Sequence, residues 1–185
     1  GLHGAGQGWA LVTDAGEARF DHVVWATPAT AAAQAMHAAA HGTYAQALRD
    51  WAVVAERLPH TAITTVYAHA PGARLALPVL ALRGAPAQFV FDRGQLGTDP
   101  RHQGVLAFVV SASQGERDEL QAAVLAQARA ELNLHLQPLQ TVVEKRATFA
   151  CLPAIERPSA TIAPGLWAAG DHVAGPYPAT LEGAV

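Results

Sequence analysis

Cysteine, charge and long apolar runs are all scarce in this sequence. The 185 residues include one cysteine, Cys151, which excludes an intramolecular disulfide framework and allows a reducing compartment. Charged residues make up 15% of the chain and the net charge is −3, so the sequence lacks the excess of positive charge that nucleic-acid binding requires. No segment approaches the roughly 18 apolar residues of a membrane-spanning helix, and no signal peptide opens the chain. What remains is a globular chain, 51% hydrophobic, that can bury a substantial core around a ligand.

The C-terminal stretch 164–185 has the most informative pattern, PGLWAAGDHVAGPYPATLEGAV. An apolar run over 166–169, stopped by Gly170 and Asp171, predicts a buried strand that ends in a tight turn. A Gly- and Pro-rich loop follows, and residues 179–185 predict the start of a helix with Pro178 at its first position. In α/β proteins a ligand lies beyond the carboxyl end of such a strand, near the positive end of the helix dipole. An ordinary strand–loop–helix connection is the alternative.

Three segments carry a resemblance to a known group of proteins. They are AAGDHVAGPYPATLEGAV at the C-terminus, EKRATFACLPAIERP upstream of it, and DHVVWATP near the N-terminus. Together they resemble the FAD-dependent amine-oxidase/phytoene-desaturase superfamily, and within it the squalene-associated desaturases known as hydroxysqualene dehydroxylases. The resemblance implies FAD as cofactor. The FAD-binding residues it implies are Gly170, Asp171, Pro178, Ala179, Thr180, Leu181 and Gly183.

Within that set the resemblance assigns two roles. The acidic residue at Asp171 would bind a ribityl hydroxyl. The helix from Ala179 would direct its N-terminus at the N1/C2 edge of the flavin, where it raises electron affinity. His172 departs from the aromatic residue that is more usual after Gly-Asp, which leaves the local contacts open.

The superfamily's first signature, a strand followed by G-x-G-x-x-G, is absent from these residues. The glycines at positions 4, 6 and 8 have the wrong spacing and no preceding strand, so they predict a flexible start. The first residue is Gly1 and the predicted final helix stops at Val185. We therefore expect a fragment of a longer flavoenzyme, which does not retain FAD by itself because the phosphate-binding loop is missing.

Periodicity and turn residues predict the remaining elements. Strands are predicted over 8–13, 22–26, 61–68, 75–82, 88–91, 105–111 and 139–148, and helices over 29–40, 44–54 and about 113–134. Ser113 and Glu116 match a capping box at the start of the last helix. Leu120, Val124, Ala128 and Leu132 recur every four residues and predict a buried stripe along it.

These elements predict an α+β or α/β fold. A mixed-sheet substrate domain with helices, residues 29–160, would be inserted between two partial pieces of a Rossmann-like FAD-binding domain. Residues 1–28 would contribute the end of a β-meander and a return strand, and residues 161–185 the C-terminal flavin motif. Segments 21–28 and 164–185 would then be neighbours in space.

Other chemical candidates are weaker. His37 and His41 are spaced i, i+4 on a predicted helix, but without a third ligand we expect surface or packing histidines and no metal site. Cys151 is expected to be a buried, inert thiol. Two dipeptides remain: Lys145–Arg146 could pair with a cofactor phosphate or lie exposed on a strand, and Asp92–Arg93 resembles an element near the substrate cavity. No titratable pair identifies a catalytic acid or base.

Two classes of function follow. The first is an FAD-dependent oxidoreductase acting on an apolar isoprenoid, by reductive dehydroxylation of hydroxysqualene to squalene or, alternatively, by carotenoid-type desaturation. An amine oxidase is less favoured because no paired aromatic cage is evident. The second class is a non-catalytic α+β binding module. For the enzyme we expect a cytoplasmic protein that can associate peripherally with the inner face of the membrane. The oligomeric state stays open.

Overall fold

The computed structural model describes residues 1–6 and 8–184, which form eleven strands and four α-helices. The strands are β1 Leu2–Ala5, β2 Gly8–Thr13, β3 Gly16–Phe20, β4 Val23–Trp25, β5 His60–His69, β6 Val79–Ala81, β7 Phe89–Asp92, β8 Val105–Ser111, β9 Gln137–Phe149, β10 Thr161–Ala163 and β11 Leu166–Ala168. The helices are α1 Ala29–Ala39, α2 Ala45–Glu56, α3 Arg93–Leu96 and α4 Arg117–Leu132. Short 3₁₀ turns lie at Gly42–Tyr44, Pro100–His102 and Glu182–Ala184. The chain therefore has the mixed α+β character that the sequence predicts.

Contacts divide the chain into two compact units. The first unit comprises Gly1–Pro59 and Thr148–Val185, and the second comprises His60–Ala147. The sequence predicts boundaries near residues 28 and 160, between the FAD-binding pieces and the substrate domain. Those boundaries are defined by which ligand each part binds, and contacts within the chain do not test that. They stay a prediction.

The first unit opens with a three-stranded antiparallel meander, β1–β2–β3. Leu2 pairs with Leu11 and Trp9 pairs with Phe20. The predicted flexible start is wrong, because β1 has a full antiparallel partner and buries Leu2 in the core. Of the glycine run, only Gln7 lies outside the described residues.

A short parallel strand pair joins the two ends of the first unit. Strand β4 lies parallel to β11, with Val23 opposite Leu166 and Trp25 opposite Ala168, and β10 lies antiparallel on the other side of β11. The predicted adjacency of segments 21–28 and 164–185 is thus confirmed. Gly165 makes the turn between β10 and β11 possible: its φ is +73°, and a Cβ there would lie 2.8 Å from the Asp21 carbonyl oxygen.

Helices α1 and α2 complete the core of the first unit. Small alanines on α1 let the two helices approach closely, and larger side chains fill the space toward the strands. The central buried residues are Trp9, Ala32, Ala33, Met36, Leu48, Trp51 and Leu166. This packing places the N-terminus of α1 directly after the end of β4.

The second unit is a five-stranded sheet in the order β6-β7-β8-β5-β9. The pairs β6–β7, β7–β8 and β8–β5 are antiparallel. One face packs against α4 through buried Val66, Val90, Leu106 and Phe108. The stripe predicted along α4 is confirmed: Val124 and Ala128 are fully buried, and Leu120 and Leu132 pack at the margin of the same cluster.

In the second unit, one sequence-based prediction is wrong and another is confirmed only in part. The capping box does not form, since α4 begins at Arg117 after Glu116 without a side-chain cap, and the Ser113 hydroxyl instead accepts a hydrogen bond from Thr64 at 2.8 Å. The strand predicted over 75–82 shortens to β6. Leu75 lies outside β6 and is buried in the core, because the Leu75 amide donates a hydrogen bond to the Asp92 carboxylate at 3.0 Å and not to a neighbouring strand.

Asp92, at the end of β7 in the second unit, is a buried carboxylate with only 2% of the residue exposed. Its carboxylate accepts hydrogen bonds from the Leu75 amide, the Gly94 amide at 3.1 Å and the Gln95 side chain at 2.7 Å. Burial by itself would raise the pKa of Asp92, but the Gln95 side chain and the three amides of Leu75, Gly94 and Gln95 lower that pKa below its ordinary value of 3.8. The structure thus gives Asp92 a structural role that the sequence left unassigned.

We expect Asp92→Ala to destabilise the protein by about 1–3 kcal/mol at pH 7, because a buried amide loses its acceptor. The lowered pKa means that the carboxylate stabilises the fold above the ordinary pKa. This contribution is lost as the pH falls through the lowered pKa. Urea unfolding of both proteins from pH 7 to pH 3 measures this. A gap between wild type and Asp92→Ala that widened toward acid pH would contradict the assignment.

Candidate functional site

The parallel strand pair ends at one edge of the first unit, where several predicted residues meet. Thr27 and Pro28 follow β4, and Gly170 and Asp171 follow β11. Backbone and side-chain hydrogen bonds hold the edge together: the Ala169 amide donates to the Trp25 carbonyl at 3.1 Å, and the Trp25 indole donates to the Thr27 hydroxyl at 2.9 Å. Ligands of open α/β sheets bind beyond such strand ends.

The first turn of α1 also lies at this edge. Pro28 is its N-cap residue and makes no side-chain capping bond. The first amides of a helix have no intrahelical acceptor and carry partial positive charge. The edge therefore combines the first backbone donors of α1, which no side chain of the described residues caps, with the turn that follows β11.

The turn at Gly170 is shaped by a buried histidine. The Val173 amide donates to the Gly170 carbonyl at 3.0 Å, and a Cβ on Gly170 would lie 2.6 Å from Cε1 of His172. His172 is buried and meets Trp51 edge-on, with ring centroids 6.4 Å apart. Glycine is needed at position 170 because the imidazole occupies the space of a side chain.

Asp171 is accessible in this turn, with 42% of its side chain exposed. Its Oδ1 lies 3.8 Å from Nδ1 of His172, and its backbone carbonyl accepts a hydrogen bond from the Ala179 amide at 3.2 Å. Among residues 1–6 and 8–184, no amide donates to the Asp171 carboxylate. The turn is closed by backbone groups, so this carboxylate is not used as a cap and can accept a ligand hydroxyl.

The predicted α-helix from Ala179 is wrong for the residues up to 184. Ala179 adopts a left-handed conformation with φ +55°, and only the 3₁₀ turn at Glu182–Ala184 follows. The Thr180 hydroxyl takes over the local hydrogen bonds: it donates to the Tyr177 carbonyl at 2.9 Å and accepts from the Gly183 amide at 3.1 Å. Such side-chain bonds to the backbone compete with helix formation.

The seven predicted FAD-binding residues lie in two connected turns, Gly170–Asp171 and 177–183. Ala179 packs near Ala29 and Phe149 and is tied to Asp171 by its amide, so the turn 177–183 joins the strand edge. Gly170, Asp171, Ala179, Thr180 and Gly183 belong to this connected turn region. Pro178 lies in the turn but is not a helix residue, and Leu181 is 86% exposed.

Arg157 is a residue of this site that sequence reasoning missed. Its Nη1 donates to the Val173 carbonyl at 2.8 Å, and its Nη2 donates to the Gly175 carbonyl. The guanidinium also lies over the Phe149 ring, 5.9 Å from the centroid. Arg157 stands in an irregular segment without periodicity, so only its place within the resembling segment EKRATFACLPAIERP could have drawn attention to it.

A second surface lies on the sheet face of the second unit that α4 does not cover. Phe89 and Phe91 point to this face, since Val90 between them is buried against α4. Phe91 pairs with Val79 and Ala107, and Phe89 pairs with Val109. Phe89 is 45% exposed. We call Val79, Phe89, Phe91 and Val109 the open sheet face; Ala107, on the same side of the sheet, is buried. None of these residues carries a charge.

The other candidates do not form sites. His37 lies 3.2 Å from Glu56, and His41 is beyond the end of α1, so the predicted i, i+4 helical pair does not exist. Within the described part of the chain, no group of three or more potential ligands could hold a metal ion. Cys151 is exposed, so its predicted burial is wrong, because the chain leaves β9 there and crosses the surface. Lys145 and Arg146 are exposed on β9.

Over residues 1–6 and 8–184, no helix is both long and apolar enough to cross a membrane.

Solved structures share this fold. An oxidoreductase from Methanosarcina mazei matches with a TM-score of 0.57 and 16% identity, over 95% of this chain and 43% of that protein. A provisionally named protoporphyrinogen oxidase from Exiguobacterium sp. 255-15 matches with a TM-score of 0.56 and 19% identity, over 94% of this chain and 41% of that protein. A reduced UDP-galactopyranose mutase matches with a TM-score of 0.53 and 12% identity, over 73% of this chain and 31% of that protein.

No protein-family model and no curated protein matches the chain. The chain spans about two fifths of the first two solved structures. At these identities the likeness concerns the fold alone. The chain therefore has the α+β fold of a part of these solved proteins.

Proposed function

We propose that this chain is part of an FAD-dependent oxidoreductase that acts on a long apolar isoprenoid. The observation that carries the proposal is the strand edge, where the parallel pair β4–β11 places the turn with the accessible Asp171 carboxylate beside the strand end that leads into α1, a helix without a side-chain cap. The likeness in fold to proteins named as an oxidase and an oxidoreductase supports this class.

The residues present fit one part of FAD. Asp171 offers acceptor oxygens for a ribityl hydroxyl, and no capping role consumes them. The turn 177–183 and the first amides of α1 offer backbone donors of the kind that a flavin carbonyl edge accepts. When bound, FAD would supply the electron pair that is exchanged with the substrate carbon. This chain would bind and orient the group through the Asp171 carboxylate and the backbone of the turn 177–183, whose shape the bonds among Thr180, Tyr177 and Gly183 maintain.

The open sheet face supports an apolar substrate. Phe89, Phe91 and Val109 carry no charge themselves, and burial of apolar area against them contributes about 25 cal/mol per Å². Reductive dehydroxylation of hydroxysqualene is the reaction we propose: the C–O bond breaks, a hydride forms the new C–H bond, and the hydroxyl takes up one proton from solvent and leaves as water. The electrons come from a two-electron reductant. Carotenoid-type desaturation, which removes hydride from the same kind of chain, is the alternative.

Two measurements on the natural full-length protein test the proposal. The first is a visible absorption spectrum of the purified protein, where a bound flavin is expected. The second is product analysis with hydroxysqualene under reducing and oxidising conditions. Squalene formed only under reducing conditions supports dehydroxylation, and added double bonds under oxidising conditions support desaturation. A protein that binds no flavin in either state would favour a non-catalytic binding module.

We also propose that the natural protein works at a membrane surface, since its substrate would be insoluble in water. Side chains such as Leu77 and Leu96 are exposed and apolar, which suits contact with lipid. We expect a fraction of the full-length protein to float with phospholipid liposomes. Recovery of all protein at the bottom of the gradient would count against membrane association.

A further inference from the structure

Arg157 and Pro158 form a three-point clamp on the loop that follows the Gly170–Asp171 turn. The guanidinium donates to the Val173 and Gly175 carbonyls, and the Pro158 carbonyl accepts from the Ala174 amide at 2.8 Å. The three bonds engage three consecutive residues of the loop. Loop 173–175 is therefore fixed by side-chain and backbone contacts from a segment well separated from it in sequence.

The clamp has a rigid support. Phe149, at the end of β9, is buried, and its ring lies beneath the Arg157 guanidinium. A cation over an aromatic face is attracted by the ring quadrupole, which holds the guanidinium in one plane. Pro158 is also fully buried, so the backbone on the other side of Arg157 is fixed.

Asp171 is held between this clamp and the strand edge. On one side, the Ala168 and Ala169 amides donate to the carbonyls of Ala160 and Trp25. On the other side, the clamp holds residues 173–175. No hydrogen bond from the described residues reaches the Asp171 side chain, and its Oδ1 lies 3.8 Å from Nδ1 of His172, so its position depends on His172 and on the two flanking anchors.

We propose that Arg157 is a positioning residue for FAD, which keeps loop 173–175 in the conformation that presents Asp171 to the ribityl chain. This inference rests on the proposed function. The role requires a planar donor, because the two carbonyls are two residues apart and are reached by two different guanidinium nitrogens. A lysine ammonium offers one nitrogen and can satisfy only one of these carbonyls well.

Loss of the clamp does not remove the core of the first unit. Val173 is itself buried in that core beside Trp51 and Leu166, and it anchors the loop independently of the guanidinium. The Arg157→Ala variant is therefore expected to fold, with a looser loop. This separates a positioning role from a role in global stability.

The test compares Arg157→Ala, Arg157→Lys and the control Arg57→Ala in the natural full-length protein. Arg57 is an exposed arginine of the same unit at the end of α2. We expect Arg157→Ala to release FAD about tenfold or more faster, because two charge-assisted hydrogen bonds are lost. Arg157→Lys should be intermediate, and Arg57→Ala should match wild type. Guanidinium ion at millimolar concentration should slow FAD release from Arg157→Ala toward the wild-type rate.

Hydrogen exchange of the apo proteins gives a readout that does not depend on FAD. The Ala174 amide should exchange faster in Arg157→Ala than in wild type, with unchanged exchange in the core of α2. Equal FAD release and equal Ala174 exchange in Arg157→Ala and wild type would overturn the role of Arg157 and leave the proposed function intact. Wild-type protein that binds no FAD would overturn the proposed function, and the positioning role with it, whatever the exchange result.

Discussion

Asp171→Ala in the natural full-length protein is expected to weaken FAD binding by about tenfold or more, since a charge-assisted hydrogen bond contributes roughly 1.5–3 kcal/mol. The structure sharpens the reason for this expectation. The carboxylate is accessible and receives no amide hydrogen bond from the described residues, while the turn around it is closed by the backbone bond from Val173 to Gly170. Its removal therefore affects a ligand more than the turn itself.

Two further variants separate ligand binding from turn stability. Asp171→Asn keeps an acceptor oxygen but loses the charge, so its affinity should lie between those of wild type and Asp171→Ala. Asp14→Ala removes an exposed carboxylate from the β2–β3 turn and is the control for net charge. Titration of the apo proteins with FAD, beside thermal melts, measures both quantities. An Asp171→Ala variant with wild-type affinity, or one whose melting temperature falls steeply, would refute the role of this carboxylate.

Local signals in the sequence predicted most of the regular elements. The β-branched and apolar runs at β5 and β8 and the alanine-rich α1 form where composition favours them, and β8 has the predicted bounds Val105–Ser111. The stripe on α4 packs as its four-residue spacing indicates. These features depend on neighbours within a few residues, which is why a single sequence reveals them.

Contacts between residues distant in sequence explain why some predicted elements differ from the structure. Leu75 belongs to an apolar run, yet it leaves the strand because Asp92, distant in sequence, binds its amide. Ser113 has the spacing of a capping box, yet its hydroxyl is taken by Thr64 on a neighbouring strand. The parallel pairing of β4 with β11 was expected from the resemblance alone, because no local pattern specifies which strands meet.

The candidate site divides in the same way. Gly170 and Asp171 end an apolar run, so a local pattern marked them. The turn beyond them depends on the left-handed Ala179 and on the Thr180 hydroxyl, a combination that helix propensity does not describe. The contribution of Arg157 depends on a loop that is distant in sequence, and it appears only in the folded chain.

Gly183→Ala should reduce FAD occupancy of the natural protein about tenfold or more while leaving the thermal melt close to wild type. A Cβ at this position would lie 1.9 Å from the carbonyl oxygen and 3.0 Å from the carbonyl carbon of Tyr177. The obstacle is backbone, so the turn 177–183 must open and the hydrogen bonds of Thr180 to Tyr177 and Gly183 must break. Local strain of this kind costs on the order of 1–3 kcal/mol, which corresponds to about one to two powers of ten in affinity.

Gly97→Ala is the control for the same substitution, because no atom of the described residues would lie within 4 Å of a Cβ there and the residue belongs to the second unit. That variant should keep wild-type FAD occupancy, measured as the ratio of flavin to protein absorbance after purification. The melt should barely change in either variant, since the 3₁₀ turn at Glu182–Ala184 buries no residue and the core of the first unit lies elsewhere. Full FAD occupancy in Gly183→Ala would mean that the turn 177–183 does not contact the flavin. Asp171 would then contact the flavin at this edge, and the turn would have no part in binding.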